Sequence, residues 1–256
     1  MTKVDVVILA GAPNTGSLAE VSDASWEALI SVDGRPMVEY VIDTMLKTES
    51  LGQLVIVGPN ELKSLAPANS IFVPCKDSMV ANLKVGIEAL GVDKAPFLLV
   101  ATGDIPLLTP EAVNDFITRC FRYEAKIYYP LVSREANQAK YPEVERTYFT
   151  LQEGTFTGGN LMLLDPSILE QKYELVDQLV LLRKKPAKII KMLGIKFIYK
   201  YVRKTLSIEE IEKRAEVIIG AKGKAIISHY PEIGIDVDKP SDLKLMEEIF
   251  SKSVLT

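Results

Sequence analysis

The sequence predicts an α/β fold with a mostly parallel central sheet, and three observations support that prediction. Short β-branched or apolar runs alternate with helical patterns through the first half of the chain, as in βαβ units. Residues 97–100 are apolar without interruption, which suits a strand buried on both faces. Small residues then lead to Asp104, at the carboxyl end of that strand, where open α/β sheets bind ligands. Asp104 is therefore the first candidate functional residue.

The first half supplies the predicted parallel sheet. Residues 4–9 form a first strand, and the small residues 10–16 form a loop after it, where backbone N–H groups commonly meet phosphates. An Asp33-Gly34 turn precedes the first helix. Thr109 and Pro110 are typical of the start of another helix. The further predicted strands are 54–57, 71–73 and 97–100, and the predicted helices are 36–47, 78–90 and 110–121.

The second half is predicted to add strands and a helical, lysine-rich stretch. We expect a glycine-containing turn over 153–160 between two strands, and Ser241 as the cap of a final helix over 242–250. The predicted strands are 126–132, 146–151, 160–164 and 225–228, and the helical stretch is 175–220. This pattern predicts a core over 1–180, a basic helical insertion over 181–220 and a return to the core over 221–256.

Composition narrows the function classes. With 48% hydrophobic and 25% charged residues, the 256-residue chain has the makeup of a globular protein with a large core. A formal net charge of -4 gives no sign of a nucleic-acid partner. Cys75 and Cys120 lack ligand-like spacing and His229 is the only histidine, so a zinc site, a disulfide scaffold and a Ser-His-Asp hydrolase are poorly supported. With no signal peptide pattern and no long apolar run, we expect a cytoplasmic protein.

Charge is concentrated in one segment. Residues 183–204 hold nine Lys or Arg and no acid, which leaves -13 for the rest of the chain. Apolar residues are mixed with these cations, so two interpretations stay open. The segment is either an insertion that packs on the core with solvated lysines, or a platform for an anionic membrane surface or a lipid-linked acceptor.

Four stretches, in order, resemble a known family. They are VVILAGAPN at 6–14, EALISVDGRPMVEYVIDTM at 27–45, VATGDIPLLTPEAV at 100–113 and GIDVDKPSDL at 234–243. They are similar to the opening loop, the turn and helix, the metal-binding strand end and the late aspartate segment of MobA-like nucleotidyltransferases. That group has a glycosyltransferase-A-like Rossmann fold and includes molybdenum-cofactor guanylyltransferase and related cytidylyltransferases.

The resemblance implies Mg²⁺-dependent transfer of a nucleoside monophosphate from a nucleoside triphosphate to a phosphorylated acceptor, either a small molecule or lipid-linked, with release of pyrophosphate. It implies Asp104 and Asp238 as catalytic, metal-binding aspartates, with Asp236 as a further metal candidate. The implied nucleotide-binding residues are Leu9, Ala10, Gly11, Ala12, Pro13, Asn14, Asn82 and Gly103. The implied acceptor-binding residues are Thr157, Gly158, Gly159 and Asn160.

The chain departs from the family pattern in its charges. The opening loop lacks the usual arginine, and Glu27 stands where the family has a lysine. No Lys or Arg lies between Lys3 and Arg35, although a triphosphate needs compensating positive charge. Arg35, Lys84 or the basic segment are the alternative sources of that charge.

Three functions are therefore compatible with the sequence. The first is an active nucleotidyltransferase, the second is a protein that binds a nucleotide or sugar nucleotide without catalysis, and the third is a glycosyltransferase. Individual residues also keep structural alternatives: Asp238 bracing a turn, Asn82 starting a helix, and 157–160 forming a plain hairpin turn.

Overall fold

The structure is a computed structural model that describes residues 3–49, 51–169 and 186–253. The described strands are β1 (Val4–Leu9), β2 (Ser31–Val32), β3 (Arg35–Pro36), β4 (Leu51–Gly58), β5 (Ile71–Pro74), β6 (Phe97–Thr102), β7 (Ile127–Ser133), β8 (Phe149–Leu151), β9 (Gly154–Gly158), β10 (Leu161–Leu164) and β11 (Gly223–Ser228). The described helices are α1 (Met37–Lys47), α2 (Met79–Ala89), α3 (Pro110–Cys120), α4 (Arg134–Lys140), α5 (Pro186–Leu193), α6 (Ile195–Val202), α7 (Ile208–Ile219) and α8 (Pro240–Ser253).

The first of two compact units comprises residues 1–114 and 235–256 and contains a parallel sheet. Its strands lie in the order β5-β4-β1-β6, with every neighbouring pair parallel. The central strand β1 is buried along its whole length, as its β-branched sequence predicts. Helix α2 packs closely on β1 because Gly86 has no side chain; a Cβ there would lie 2.8 Å from Val7 Cγ1. The predicted parallel α/β architecture is confirmed.

The second unit, residues 115–234, is built around β7. This strand pairs antiparallel with β9 and β10 and parallel with β11, while β8 pairs antiparallel with β9. A hydrophobic cluster joins β7, β8 and β9 to α5 and to the segment between α6 and α7. Its buried members are Leu131, Leu151, Phe156, Ile190, Leu193 and Leu206. The lysine-rich stretch thus contributes apolar side chains to this unit's core.

The predicted turn over 153–160 is wrong. Residues 154–158 form strand β9, and Phe156 is buried on it between two threonines. Such alternation of β-branched and buried aromatic residues favours a strand, and it overrides the glycines that suggested a turn. The actual hairpin turn between β8 and β9 is confined to residues 152 and 153.

Several other elements also differ from prediction. Helix α8 begins at Pro240, so Ser241 lies inside the helix rather than capping it, since proline is favoured at a first helical position. Helix α4 was missed because it is only seven residues long; its cap is Ser133, whose Oγ accepts a hydrogen bond from the Ala136 N–H at 3.1 Å. The helical prediction over 175–220 is interrupted at Gly194 and at 203–207, and its part over 175–185 lies outside the described residues.

Two local predictions are confirmed in detail. Asp33 and Gly34 both have positive φ, 50° and 79°, which gives the tight two-residue hairpin between β2 and β3. Thr109 caps α3 by accepting a hydrogen bond from the Ala112 N–H at 3.3 Å.

The division into core, basic insertion and return stays a prediction, since its boundary at residue 180 lies outside the described residues. Within the ranges 3–49, 51–169 and 186–253, no helix has the length and apolar character needed to cross a membrane. The predicted cytoplasmic location is a separate matter and stays a prediction.

One buried carboxylate links three segments of the first unit. Asp5, on β1, accepts hydrogen bonds from the Gln53 N–H at 2.8 Å and from the Ala95 N–H at 2.6 Å. Gly52 lets the carboxylate approach, because a Cβ there would lie 2.2 Å from Asp5 Oδ1.

We expect Asp5→Ala to lower the free energy of unfolding by about 2–4 kcal/mol, because two backbone N–H groups lose a charged acceptor. Urea denaturation followed by circular dichroism measures this change. The matched control is Asp93→Ala at an exposed position, for which we expect a change below about 0.5 kcal/mol. Equal effects of the two substitutions would contradict the assigned role of Asp5.

Candidate active site

The carboxyl end of β6 leads directly into a close backbone approach. Gly103 follows the strand, and a Cβ on it would lie 3.0 Å from Ala10 Cβ and 3.2 Å from Ala28 Cβ. The Gly103 N–H also donates to the Leu9 carbonyl at 3.0 Å. Gly103 therefore holds the end of β6 against the start of the loop after β1, and Asp104 emerges beside it, buried.

Two more aspartates come from a distant part of the sequence. The Val237 N–H donates to the Asp104 carbonyl at 3.0 Å, which fixes Val237 beside the end of β6. Asp236 and Asp238 flank Val237, and one carboxylate oxygen from each of the three aspartates lies within 4.8 Å of the others. Asp104 and Asp236 are buried, and Asp238 is half-buried.

This arrangement carries a large electrostatic cost that a cation would relieve. Two ionised carboxylates at such a separation repel by about 3–4 kcal/mol at an effective dielectric constant of about 20. A set of three carboxylate oxygen donors, two of them buried, is the chemistry that hard divalent cations such as Mg²⁺ and Mn²⁺ bind. The residues present therefore fit a divalent metal ion.

The aspartate segment is held by further contacts. The Asp238 N–H donates to Asp242 Oδ2 at 3.2 Å, and Ser17 Oγ donates to the Asp238 carbonyl at 3.2 Å. Asp242 is buried in the first turn of α8. No sequence pattern indicated that the Asp242 carboxylate would position Asp238.

The loop over 10–14 lies between β4, α2 and the segment after β5. Gly11 allows the closest approach, because a Cβ there would lie 2.6 Å from Cys75 Cβ and 2.9 Å from Asn82 Nδ2. Asn82 is buried, and its Oδ1 accepts a hydrogen bond from the Lys76 N–H at 2.5 Å. The structure thus brings Asn82 together with the predicted nucleotide loop.

The far side of this loop is tied to residues 22–27. Asn14 Nδ2 donates to the carbonyls of Ser22 and Ala24 at 3.2 and 2.9 Å, and the Asn14 N–H donates to the Ser25 carbonyl at 2.9 Å. The Glu27 N–H in turn donates to the Ala12 carbonyl at 3.0 Å. Leu9, Ala10 and Asn14 are buried, while Pro13 is exposed. The loop is therefore held in one shape by backbone and amide contacts.

The cations that could replace the missing loop arginine differ in their surroundings. Arg35 forms ion pairs with Glu39 at 3.2 Å and Asp43 at 3.0 Å, which raise the pKa of its guanidinium. Lys84 lies 4.0 Å from Glu88. Lys76, which the sequence analysis did not single out, is exposed and directly follows Cys75, the residue in contact with Gly11.

The predicted acceptor residues belong to the second unit, at the end of β9 and the start of β10. Thr157 is buried, the Gly159 N–H donates to the Pro130 carbonyl at 3.0 Å, and the Asn160 N–H donates to the Ile233 carbonyl at 2.8 Å. Close packing requires Gly159, since a Cβ there would lie 2.7 Å from Pro130 Cγ. These contacts account for the glycines structurally, and the acceptor role stays a prediction.

Residues 157–160 are not a hairpin turn, since β9 and β10 both pair with β7. A polar cluster near them was missed by sequence reasoning. Asn137 is buried and donates to the Tyr148 hydroxyl at 2.7 Å. Glu232, also buried, accepts hydrogen bonds from Lys140 and from the Tyr141 hydroxyl. Burial, together with the Glu232 charge, raises the pKa of Tyr141 well above its ordinary value. The residues of this polar cluster lie on the short helix α4, in the loop after it and in a 3₁₀ turn. No periodic sequence pattern therefore indicates that they come together.

Comparison with known proteins identifies the family. A family model described as the MobA-like NTP transferase domain matches residues 6–193. The chain belongs to this family. The resemblance inferred from four short motifs is thereby confirmed, and the family is one of nucleotidyltransferases.

Individual relatives differ in their identity to this chain and in how much of it they cover. A hypothetical transferase from Thermus thermophilus is 37% identical, with a TM-score of 0.81, over 94% of this chain and 99% of that one. The bifunctional protein GlmU of Bacillus subtilis is 31% identical over 130 residues, which cover 49% of this chain and 27% of GlmU. This chain thus matches about a quarter of the length of the GlmU proteins.

One further structure shares the fold alone. A 4-diphosphocytidyl-2C-methyl-D-erythritol synthase from Anaerococcus prevotii has a TM-score of 0.58 at 12% identity, over 98% of this chain and 96% of that one. The predicted Rossmann-like nucleotidyltransferase fold is confirmed by these likenesses.

Proposed function

We propose that the protein is a Mg²⁺-dependent nucleotidyltransferase that transfers a nucleoside monophosphate from a triphosphate to a phosphorylated acceptor. The observation that carries the proposal is the convergence of Asp104, Asp236 and Asp238, whose carboxylate oxygens lie within 4.8 Å of one another. Family membership supplies the reaction class, and the three carboxylates supply a binding site of the right charge for the metal.

In the proposed reaction, an acceptor phosphate oxygen attacks the α-phosphorus of the triphosphate. The bond from the α-phosphorus to the oxygen that bridges it to the β-phosphorus breaks, and pyrophosphate leaves with that electron pair. Asp104 and Asp238, with Asp236 beside them, would hold the Mg²⁺. The ion, when bound, supplies positive charge that offsets the charge developing on the phosphate oxygens.

Backbone groups of the loop after β1 are suited to the phosphates. The N–H groups of Ala10 and Asn14 are already bonded to carbonyls, at 2.8 and 2.9 Å. In the described part of the chain, the N–H groups of Gly11 and Ala12 have no such backbone partner. We infer that these two groups donate to the triphosphate, in a loop whose shape Asn14 and Asn82 maintain.

The positive charge that the loop lacks is assigned to Lys76. Its backbone is anchored to Asn82, and its neighbour Cys75 touches Gly11, so its flexible, exposed side chain starts beside the loop. Arg35 is less suitable because Glu39 and Asp43 already offset its charge.

The acceptor is proposed to be phosphorylated, as a small molecule or a lipid-linked compound, and to contact Thr157, Gly158, Gly159 and Asn160. A cation in the same part of the second unit supports this choice: the Asn160 N–H donates to the carbonyl of Ile233, and the neighbouring Glu232 pairs with Lys140.

A second candidate function is nucleotide or sugar-nucleotide binding without catalysis. It is favoured by Glu27 at the position of the family's lysine and by the absence of any Lys or Arg between Lys3 and Arg35. Pyrophosphate release separates the two candidates, since a binding protein releases none. Consumption of a sugar nucleotide would instead identify a glycosyltransferase.

We expect Asp104→Asn and Asp236→Asn to weaken Mg²⁺-dependent triphosphate binding by at least about tenfold, because each removes a charged ligand oxygen. Calorimetry with a panel of nucleoside triphosphates, with and without Mg²⁺, measures this effect, and pyrophosphate release is followed in parallel. Asp93→Asn, an exposed carboxylate, is the control. Binding that ignores both Mg²⁺ and the two substitutions would overturn the proposed metal site.

Cys75 offers a reporter in the unmodified protein. Burial raises the pKa of both thiols, but Cys75 is half-buried whereas Cys120 is fully buried, so iodoacetamide should alkylate Cys75 alone, and faster as the pH rises towards 9. A bound triphosphate should slow this alkylation severalfold, because Cys75 contacts the loop at Gly11. Mass spectrometry locates the label, with Cys120 as the internal control. An unchanged rate at saturating triphosphate would place the nucleotide elsewhere.

We expect Lys76→Gln to weaken triphosphate binding about tenfold, equivalent to about 1.4 kcal/mol, because the loop offers no cation of its own. The matched control is Lys84→Gln, which removes an exposed lysine on α2. The loss should shrink at high salt and for the nucleoside without phosphates. A larger effect from Lys84→Gln would reassign the role to that residue.

A further inference from the structure

Helix α6 carries apolar residues on two different faces. Phe197 and Tyr201, four residues apart, pack against the hydrophobic cluster that includes Leu193 and Leu206. This face attaches the helix to the second unit. This packing agrees with the first interpretation of the basic segment, in which its apolar side chains pack on a core.

The other apolar face of α6 is exposed. Ile195 is 86% exposed, Ile198 36%, Tyr199 62% and Val202 73%. Their spacing of i, i+3, i+4 and i+7 places all four on one side of the helix, within an arc of about 100°. Isolated exposed apolar residues are ordinary, whereas a continuous apolar stripe indicates a surface that contacts a membrane or another molecule.

Cations border the exposed stripe. Lys196 and Arg203 lie beside it on the helical projection, and Lys188, Lys191 and Lys204 are exposed nearby in the sequence. Residues 186–204 contain no acid; Glu210, outside this range, forms an ion pair with Lys200 and also interacts electrostatically with Lys196. Arg203 donates to the Tyr199 hydroxyl at 3.0 Å, which places a guanidinium at the edge of the stripe.

We propose that this face of α6, defined by Ile195, Ile198, Tyr199 and Val202, binds the surface of an anionic lipid bilayer. An eight-residue helix with an apolar stripe and a basic border has the features of an element that lies in the plane of a membrane interface. Tyr199 suits that depth, because its ring is apolar and its hydroxyl is polar. The binding is peripheral, since no described helix can cross a membrane.

The positive charge beside the stripe favours an anionic bilayer over a second copy of the chain as its binding partner. In a symmetric dimer the same face meets itself, so the cations around each stripe would confront one another. An anionic bilayer instead offers negative headgroups to the basic border and acyl chains to the stripe. The proposal goes beyond the nucleotidyl transfer reaction and does not depend on it.

Flotation with vesicles tests the proposal on the 256-residue chain. We expect binding to phosphatidylcholine vesicles that contain phosphatidylglycerol, weak binding to phosphatidylcholine alone, and release at high salt. The variant Ile195→Asn/Val202→Asn should reduce binding at least about tenfold, and Lys196→Gln/Arg203→Gln should reduce it at low salt. Both pairs are exposed, so the thermal unfolding temperature should change little.

Matched controls come from apolar and charged residues elsewhere on the surface. Val217, 71% exposed on α7, and Val92, 97% exposed in the first unit, supply Val92→Asn/Val217→Asn, and Lys213→Gln removes an exposed lysine of α7. These variants should bind vesicles as the wild type does. Equal losses in the control and the stripe variants would contradict the proposal.

Two other outcomes would also overturn it. The first is an absence of vesicle binding at low salt. The second is a concentration-dependent dimer in analytical ultracentrifugation, lost in Ile195→Asn/Val202→Asn, without any vesicle binding; a second copy would then cover the stripe. Triphosphate binding by the same variants is measured alongside, and we expect it to be unchanged, so a failure of the membrane proposal stays distinct from a failure of the proposed reaction.

Discussion

The hydrogen bond from the Val237 N–H to the Asp104 carbonyl holds Asp236 and Asp238 close to Asp104. It joins the end of β6 to a segment more than 130 residues later in the sequence. With Val237 held there, both neighbouring aspartates lie within reach of Asp104, and the contact from Asp242 to the Asp238 N–H reinforces the placement. Their mutual repulsion is a reason for the segment to be fixed by backbone contacts, because free carboxylates would move apart.

The loop after β1 is also held in place by hydrogen bonds to its backbone and by close backbone packing. Gly11 and Gly103 permit close approaches that side chains would block, and Asn14 and Asn82 fix the loop through amide hydrogen bonds. A preorganised set of N–H groups stabilises anionic phosphate without a charged side chain in the loop itself. The absent arginine therefore removes charge from the loop but leaves its shape intact. The proposed role of Lys76 is to supply that charge from a neighbouring segment, beside a loop whose shape is kept.

Local signals predicted most of the elements and failed where tertiary packing decided. The Asp33-Gly34 turn and the Thr109 cap depend on neighbouring residues, so the sequence was sufficient for them. Strand β9 was mistaken for a turn because its glycines outweighed a short alternating pattern that pairing with β7 and β8 stabilises. The motifs identified Asp104, Asp236 and Asp238 as candidates. Their convergence, and the position of Lys76, depend on long-range contacts that no periodicity encodes.

Helix α6 shows why composition alone could not separate packing from docking. Its sequence mixes cations with apolar residues, and this composition is the same whether the apolar side chains are buried or exposed. The structure divides them: Phe197 and Tyr201 pack into the core, while Ile195, Ile198, Tyr199 and Val202 face solvent. Attachment to the unit requires only the first set. The second set is not needed for this attachment, and its exposure beside a basic border is the observation that a function at a surface explains.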